Sequence, residues 1–307
     1  MKILCINVRK GIGDQIIFLP FLHAISRKFK VPISLLAKEN SKAKELFSED
    51  DLIDEVINLE KNMDGIKGIF RLSKEIKKRS FDKIFIFNSS LRYNIVARLA
   101  GIRSINQYPL FLKKDNIIHS AKVFTEDITN KVITTEPYLK IKKENMQLDK
   151  NVKHICLGVS ASGATKRWDI KNYIKLANEI SKKMNCKFYV AGGKNDMNLI
   201  NEFKNSCIEK NIFSFEKMNI KQTLNYISNC DLYIGNDTGW AHLSVALNIK
   251  ALTIFCDSPV AAYGSYSSKM ITVEPDGIKK GTTKHNTLGK DKISFERVLK
   301  KTIDILS

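Results

Sequence analysis

The chain has 307 residues, a hydrophobic fraction of 43% and a formal net charge of +19. These values exclude a mainly disordered chain, a collagen-like repeat and a disulfide-held miniprotein, and at roughly 150 residues per domain the length predicts two domains. The charge divides almost evenly, with 28 basic and 18 acidic residues in 1–150 and 23 and 14 in 151–307, a diffuse field that favours anionic partners in general or is a solvated lysine-rich surface.

The first half alternates short apolar runs with longer stretches of helical period. Strands are predicted at Ile3–Val8, Ile33–Ala37, Glu55–Leu59 and Lys83–Phe87, and helices at Asp14–Phe29, Ile66–Lys78 and Leu91–Ala100. The last helix carries Ile95, Leu99 and Ile102 on one side and ends at Gly101, a good stop signal. The polar, weakly periodic segment 137–153 marks a domain boundary, placed between 1–148 and 149–307. The alternation then restarts. Strands are predicted at His154–Val159, Lys187–Ala191, Asp231–Ile234 and Ala251–Phe255, and helices at Ile170–Met184, Asp196–Cys207, Lys221–Asn229 and Trp240–Leu247. An amphipathic helix over Ser294–Leu306, free to cross back to the first domain, closes the chain. Strand–helix alternation predicts parallel sheets covered on both faces. The expected fold is therefore α/β, with two doubly wound halves and a cleft between them.

No apolar run approaches the roughly 20 residues that span a bilayer, and the N-terminal MKILCINV reads as a first buried strand rather than a signal peptide. The six cysteines lie far apart with no C-x-x-C pair, which fits a reduced, cytoplasmic protein.

Ligands of doubly wound folds bind where strands run into helices at the carboxyl edge of the sheet. The first such junction reads Arg9-Lys10-Gly11-Ile12-Gly13-Asp14. Its glycines permit a tight turn and close backbone approach, but it lacks the third glycine of a dinucleotide fingerprint and the G-K-[ST] of a phosphate loop. Asp14 reads either as a helix N-cap or as a carboxylate able to act as general base. Arg9 and Lys10 read as cations for an anionic ligand or as solvent-facing. The second junction, Ser160 to Trp168, carries hydroxyls, Lys166 and Arg167, and reads as a diphosphate cradle or a surface loop. The third, Gly235-Asn236-Asp237-Thr238-Gly239-Trp240-Ala241-His242, brings a helix N-terminus that suits a phosphate, and a histidine near its first turn that reads as structural or functional. One His and one Asp fall short of a metal-ligand set. Gly192-Gly193, with Asp196 opening the next helix, and Cys256-Asp257-Ser258-Pro259 follow two further strands.

In order, these segments resemble the glycosyltransferase family that contains the lipopolysaccharide heptosyltransferases (glycosyltransferase family 9). The elements that carry the resemblance are Gly11-Ile12-Gly13-Asp14 with Leu19-Pro20, the helix from Ser90-Leu91-Arg92-Tyr93 to Ala100-Gly101, the stretch from Gly158 to Lys166-Arg167-Trp168, and Asn236-Asp237-Thr238-Gly239-Trp240-Ala241-His242-Leu243 followed by Asp257-Ser258-Pro259. The resemblance implies two Rossmann-like domains in the glycosyltransferase B architecture, the first binding acceptor and the second a nucleotide-sugar donor. It implies an inverting, metal-independent transfer that needs no cofactor. Asp14 would be the base and Lys166 the counter-charge to the leaving diphosphate. Ser160, Thr165, Lys166, Gly192, Asp196, Asp237, Thr238, Gly239 and His242 would bind the donor, with ADP-heptose as the family's best-known case. Arg9, Lys10, Gly11, Gly13 and Arg92 would bind the acceptor, an anionic lipopolysaccharide core or similar glycolipid at the cytoplasmic face of the inner membrane. A monomer is expected. Two departures, Gln15-Ile16-Ile17-Phe18 where heptosyltransferases often carry a His and Trp240 where they often carry Pro, leave the sugar and the acceptor open. The rivals are a same-fold transferase or epimerase using another nucleotide sugar and, from another class, a nucleic-acid-binding protein. The second requires a clustered basic face with interleaved aromatics, and no such motif stands out.

Overall fold

The apolar runs of the sequence become parallel strands, and the amphipathic stretches become the helices that cover them. A computed structural model describes residues 1–109, 117–142, 144 and 146–307, and it divides into two compact units, Met1–Lys140 and Ile141–Ser307.

In the first unit the strands are β1 (Ile3–Ile6), β2 (Ile33–Lys38), β3 (Ile53–Leu59), β4 (Lys83–Ile86) and β5 (Ser104–Gln107), in the order β3-β2-β1-β4-β5. The helices are α1 (Ile12–Phe29), α2 (Ala43–Leu46), α3 (Gly65–Arg79), α4 (Leu91–Leu99) and α5 (Ile117–Thr129). Alternate strand residues serve opposite faces. Phe85 and Phe87 meet α1 and α5, with Phe87 edge-on to Phe18 at 5.8 Å and to Phe124 at 5.3 Å. Ile84 and Ile86 share the opposite core with Leu72 and Ile76 of α3 and Val96 and Ala97 of α4. The buried side of α4 is therefore Tyr93, Val96 and Ala97. Its Ile95 and Leu99 face solvent, 45% and 49% exposed.

In the second unit β6 (Lys153–Gly158), β7 (Cys186–Ala191), β8 (Ile212–Ser214), β9 (Leu232–Asn236), β10 (Ala251–Ile254) and β11 (Met270–Val273) lie in the order β11-β10-β9-β6-β7-β8. The helices are α6 (Ile170–Ser181), α7 (Met197–Ser206), α8 (Ile220–Ile227), α9 (Gly239–Ala246), α10 (Val260–Tyr263) and α11 (Phe295–Leu306). One face packs α6, α7 and α11 over Leu157, Phe188, Ile234 and Ile254. The closing helix α11 lies against α6 of the same unit: Phe295 stacks 6.4 Å from Trp168, and Lys175 sits 4.0 Å above the Phe295 ring. The other face carries an aromatic cluster in which Tyr226 of α8 meets Tyr189, Phe213 and Phe215, and Trp240 of α9 meets Phe215.

All six cysteines are buried and unpaired. Burial pushes the Cys186 thiol up to about 11 and that of Cys256 up to about 12, and raises those of Cys5, Cys207 and Cys230. Among the described residues no helix is long and apolar enough to cross a membrane.

Candidate functional site

Each sheet reverses its winding once, between β1 and β4 in the first unit and between β6 and β9 in the second. At such a point the two outgoing loops diverge to opposite faces and leave a crevice at the carboxyl edge. The candidate residues gather at these two places.

In the first unit Ile6 of β1 lies opposite Ile86 of β4, so the chain leaves both strands side by side. The turn after β1 is held from within. Gln15 is fully buried and donates to the carbonyls of Asn7 and Arg9 at 3.2 Å each, while Asn7 donates to the Gln15 carbonyl oxygen at 3.2 Å. Helix α1 begins at Ile12, two residues earlier than the sequence predicts, with extended Gly11 as its N-cap. Asp14 is consequently the third helical residue and not the cap. Its carboxylate accepts the Gly11 N–H at 3.2 Å, and a side chain on Gly11 would meet that carboxylate. Asp14 remains half-exposed, Gly13 is buried and Lys10 is exposed. Arg9 is half-buried, with its guanidinium 4.9 Å from the Phe18 ring centre and its charge near the Tyr108 hydroxyl, which donates to the Ile117 carbonyl at 2.9 Å. Burial raises the Tyr108 phenol, and the Arg9 charge opposes that rise. The Arg9 Nε is buried without a hydrogen-bond partner among the described residues. Arg92 is committed differently: its guanidinium donates to the carbonyl oxygens of Gly65 (2.8 Å) and Met63, tying the first turn of α4 to that of α3.

In the second unit four junctions stand in a row. Gly158 of β6 lies opposite Gly235 of β9 and Ala191 of β7, and Asn236 of β9 lies opposite Ile254 of β10. The two glycines make room for one side chain: a Cβ on Gly158 would come 1.9 Å from the Tyr233 hydroxyl, and one on Gly235 would come 2.4 Å from it. Asn236, fully buried, clips the two central loops together. Its Nδ2 donates to the carbonyls of Gly158, Val159 and Ser160 at 3.1–3.4 Å, and its Oδ1 accepts the Trp168 N–H at 2.9 Å. Ser160 is thereby buried, while Lys166 stays half-exposed in the loop beyond it.

Thr238 is the N-cap of α9, but its side chain makes no capping bond, and Gly239 opens the helix. First-turn N–H groups have no partner inside a helix, so this N-terminus offers donors and a positive dipole end at the switch point. Buried His242 pairs with half-buried Asp237, its Nε2 3.3 Å from Asp237 Oδ1. The other ring nitrogen meets the Tyr266 hydroxyl at 2.8 Å, and the two rings stack at 5.6 Å. The Thr165 hydroxyl lies near the carboxylate of Asp257, the residue after the β10 turn. Burial pushes the Asp257 carboxyl up, but the Leu288 and Thr287 amides, the Thr165 hydroxyl and the His285 charge outweigh it and hold it below the usual range. Gly192 is buried at the end of β7, and Asp196 spends one carboxylate oxygen on the Gly193 N–H at 2.8 Å. Among the described residues no cluster of three or more His, Cys, Asp or Glu is placed to hold a metal ion.

Sequence reasoning missed Gln15, Tyr108 and Tyr266 as partners of these residues. Gln15 acts within its own turn, six to eight residues away, whereas Tyr266 acts across 24 residues. Asn236 stands inside a recognised motif, but its clip spans 68 to 78 residues.

The family profile described as glycosyltransferase family 9 (heptosyltransferase) matches residues 114–291. Lipooligosaccharide heptosyltransferase 2 of Campylobacter jejuni serotype O:6 is 30% identical over 267 residues, 83% of this chain and 81% of that protein. The chain superposes on the family 9 glycosyltransferase of Veillonella parvula with a TM-score of 0.83 at 18% identity, over 99% of this chain and 97% of the other. On the E. coli ADP-heptose LPS heptosyltransferase II the TM-score is 0.77 at 19% identity, over 100% and 98%. At such identities the structural likeness is one of fold, the two-domain α/β glycosyltransferase B architecture.

Proposed function

Since the chain belongs to glycosyltransferase family 9, the heptosyltransferases, we propose that it transfers heptose from ADP-heptose, without a cofactor, onto a lipopolysaccharide-type glycolipid acceptor. The observation that carries the donor half is the β6–β9 switch point, where the open N-terminus of α9 and the Lys166 loop leave neighbouring strands and are clipped together by Asn236. Such a site suits a diphosphate. In this reading Lys166 and the Thr238 and Gly239 amides hold the ADP phosphates as charge builds on the leaving oxygen, a preorganised electrostatic contribution. Ser160 and Gly192 shape the pocket, Asp196 contacts the ribose, and Asp237 with His242 orients the sugar. Thr165 acts through Asp257, beside which its hydroxyl lies.

Asp14 takes the proton of the acceptor hydroxyl. The oxygen attacks the anomeric carbon from the face opposite the diphosphate, the bond to ADP breaks and the configuration inverts. The Gly11 N–H fixes one carboxylate oxygen of Asp14. Arg9, Lys10 and Gly13 lie on the same turn as the acceptor contacts; Arg92 supports that edge through Met63 and Gly65. The protein works as a monomer at the cytoplasmic face of the inner membrane.

The test pairs calorimetric binding with turnover. ADP is expected to bind in preference to UDP, GDP and CMP, and the heptose moiety to strengthen it. Asp14→Ala is expected to retain ADP affinity while transfer falls about 10²–10⁴-fold; Lys166→Ala is expected to lose ADP affinity. Preference for UDP would replace the donor and favour the epimerase or another transferase. Near wild-type turnover of Asp14→Ala would remove the base.

A further inference from the structure

Five of the twelve large apolar side chains most exposed among the described residues lie on α3 and α4: Ile66 (78% exposed), Phe70 (63%), Leu91 (50%), Ile95 and Leu99. The two helices pack against each other on one face of the first sheet. Their exposed apolar residues start from neighbouring first turns. Ile95 and Leu99 stand three and seven residues after Arg92 and so share its side of the helix, and Arg92 from that side reaches the Met63 and Gly65 carbonyls at the start of α3. Ile66 and Phe70, four residues apart, line the outer side of α3. The seam begins at the first turns of both helices, at the carboxyl edge of the sheet where the Asp14 turn also lies, and runs down to Leu99. An apolar strip of this kind on a soluble surface marks an interaction site.

Its surroundings identify the partner. Residues 61–103 hold eleven basic and three acidic residues, a surplus of eight within the chain's nineteen. Most of the first half's surplus of ten thus falls in the segment that contains this strip. Lys67, Lys74 and Lys77 are exposed and make no ion pair among the described residues, whereas Glu75, the one acidic residue of α3, is neutralised by Arg79 and Lys78. Apolar side chains framed by unpaired cations match the interface of an anionic bilayer, which takes the former into the acyl boundary and the latter at the phosphates.

We propose that the α3–α4 seam is a membrane-docking surface that seats the first unit on anionic phospholipid. This rests on the glycolipid-acceptor reading only for its purpose; the docking itself requires neither donor nor acceptor.

The test is flotation of the full chain with vesicles of phosphatidylethanolamine, with and without about one third phosphatidylglycerol, at low and high salt. Binding is expected only to the anionic vesicles and is expected to weaken with salt. Phe70→Ser/Ile95→Ser is expected to lower the partition coefficient at least tenfold. Lys67→Gln/Lys74→Gln is expected to lower it about 25-fold, at about fivefold per lysine. All four side chains are exposed, so both variants should melt as the wild type does. Both should retain wild-type ADP binding, and turnover should fall only with acceptor held in vesicles. Binding that is indifferent to the four substitutions would overturn the proposal. So would a wild-type dimer that Phe70→Ser/Ile95→Ser dissociates, since a second copy would then cover the seam. Vesicle binding lost in both variants of a protein that transfers no heptose would sink the functional reading and leave the docking surface standing.

Discussion

At the scale of single residues, several candidates act through a partner that the sequence does not display. His242 is the clearest. The Asp237 carboxylate can only accept a hydrogen bond, so in the neutral imidazole Nε2 carries the proton and Nδ1 accepts from the Tyr266 hydroxyl. Asp237 thereby sets the tautomer, and Tyr266 holds the ring by its other nitrogen. Removing that hydroxyl leaves Nδ1 without its donor and frees the ring to turn away from the carboxylate. Tyr266→Phe should therefore weaken ADP-heptose binding by about fivefold, the equivalent of one ordinary hydrogen bond, while ADP alone binds as before. Equal loss for ADP and ADP-heptose would place the effect on the phosphates instead of the sugar. The motif from Asn236 to Leu243 was legible as a motif; the tyrosine that completes it, 24 residues downstream of His242, was not. Asp14 illustrates the opposite case. Its position at the turn was legible, but the cap reading depended on where α1 starts, and with Gly11 as N-cap that start is two residues earlier.

At the scale of elements, the central strands were readable because parallel strands buried on both faces are continuous apolar runs. Of the four edge strands only β3 was, as Glu55–Leu59; β5, β8 and β11 were not. β5 is Ser104-Ile105-Asn106-Gln107 and only half-buried, and β8 is three residues long. Helix α5 repeats Ala121, Phe124 and Thr125 at helical spacing, but its threonines satisfy their hydroxyls on the preceding turn and blur the apolar stripe. Ile95 and Leu99 of α4 show the limit of periodicity: it locates a stripe and does not say which way the stripe faces. The joint between elements that matters most is Asn236, which fastens the loop after β6 to the end of β9. Asn236→Ala would leave a buried N–H and up to three carbonyls short of partners, so a loss of about 3 kcal/mol in urea unfolding is expected, together with weaker ADP binding as the Lys166 loop drifts. A variant of unchanged stability would mean that the clip is not what orders the loop.

At the scale of the whole molecule, the two sheets have separate cores, and the proposed function gives each of them one site. Calorimetry should resolve a transition for each unit. ADP at a hundred times its dissociation constant adds about 2.7 kcal/mol to the unit that holds it, and for a unit of this size that corresponds to about 5–10 °C. The transition lowered by Asn236→Ala should be the one that ADP raises. If ADP raises the other one, the nucleotide belongs to the first unit.

The buried cysteines have a consequence for handling the protein. One thiol, Cys5, lies in the first unit and the other five in the second, and none is presented to solvent. An alkylating reagent or oxidant reaches them only when the surrounding strands part. Each cysteine is thus a built-in clock for its own unit: tryptic peptides counted for adducts over time would give two opening rates from an unlabelled, unmutated chain.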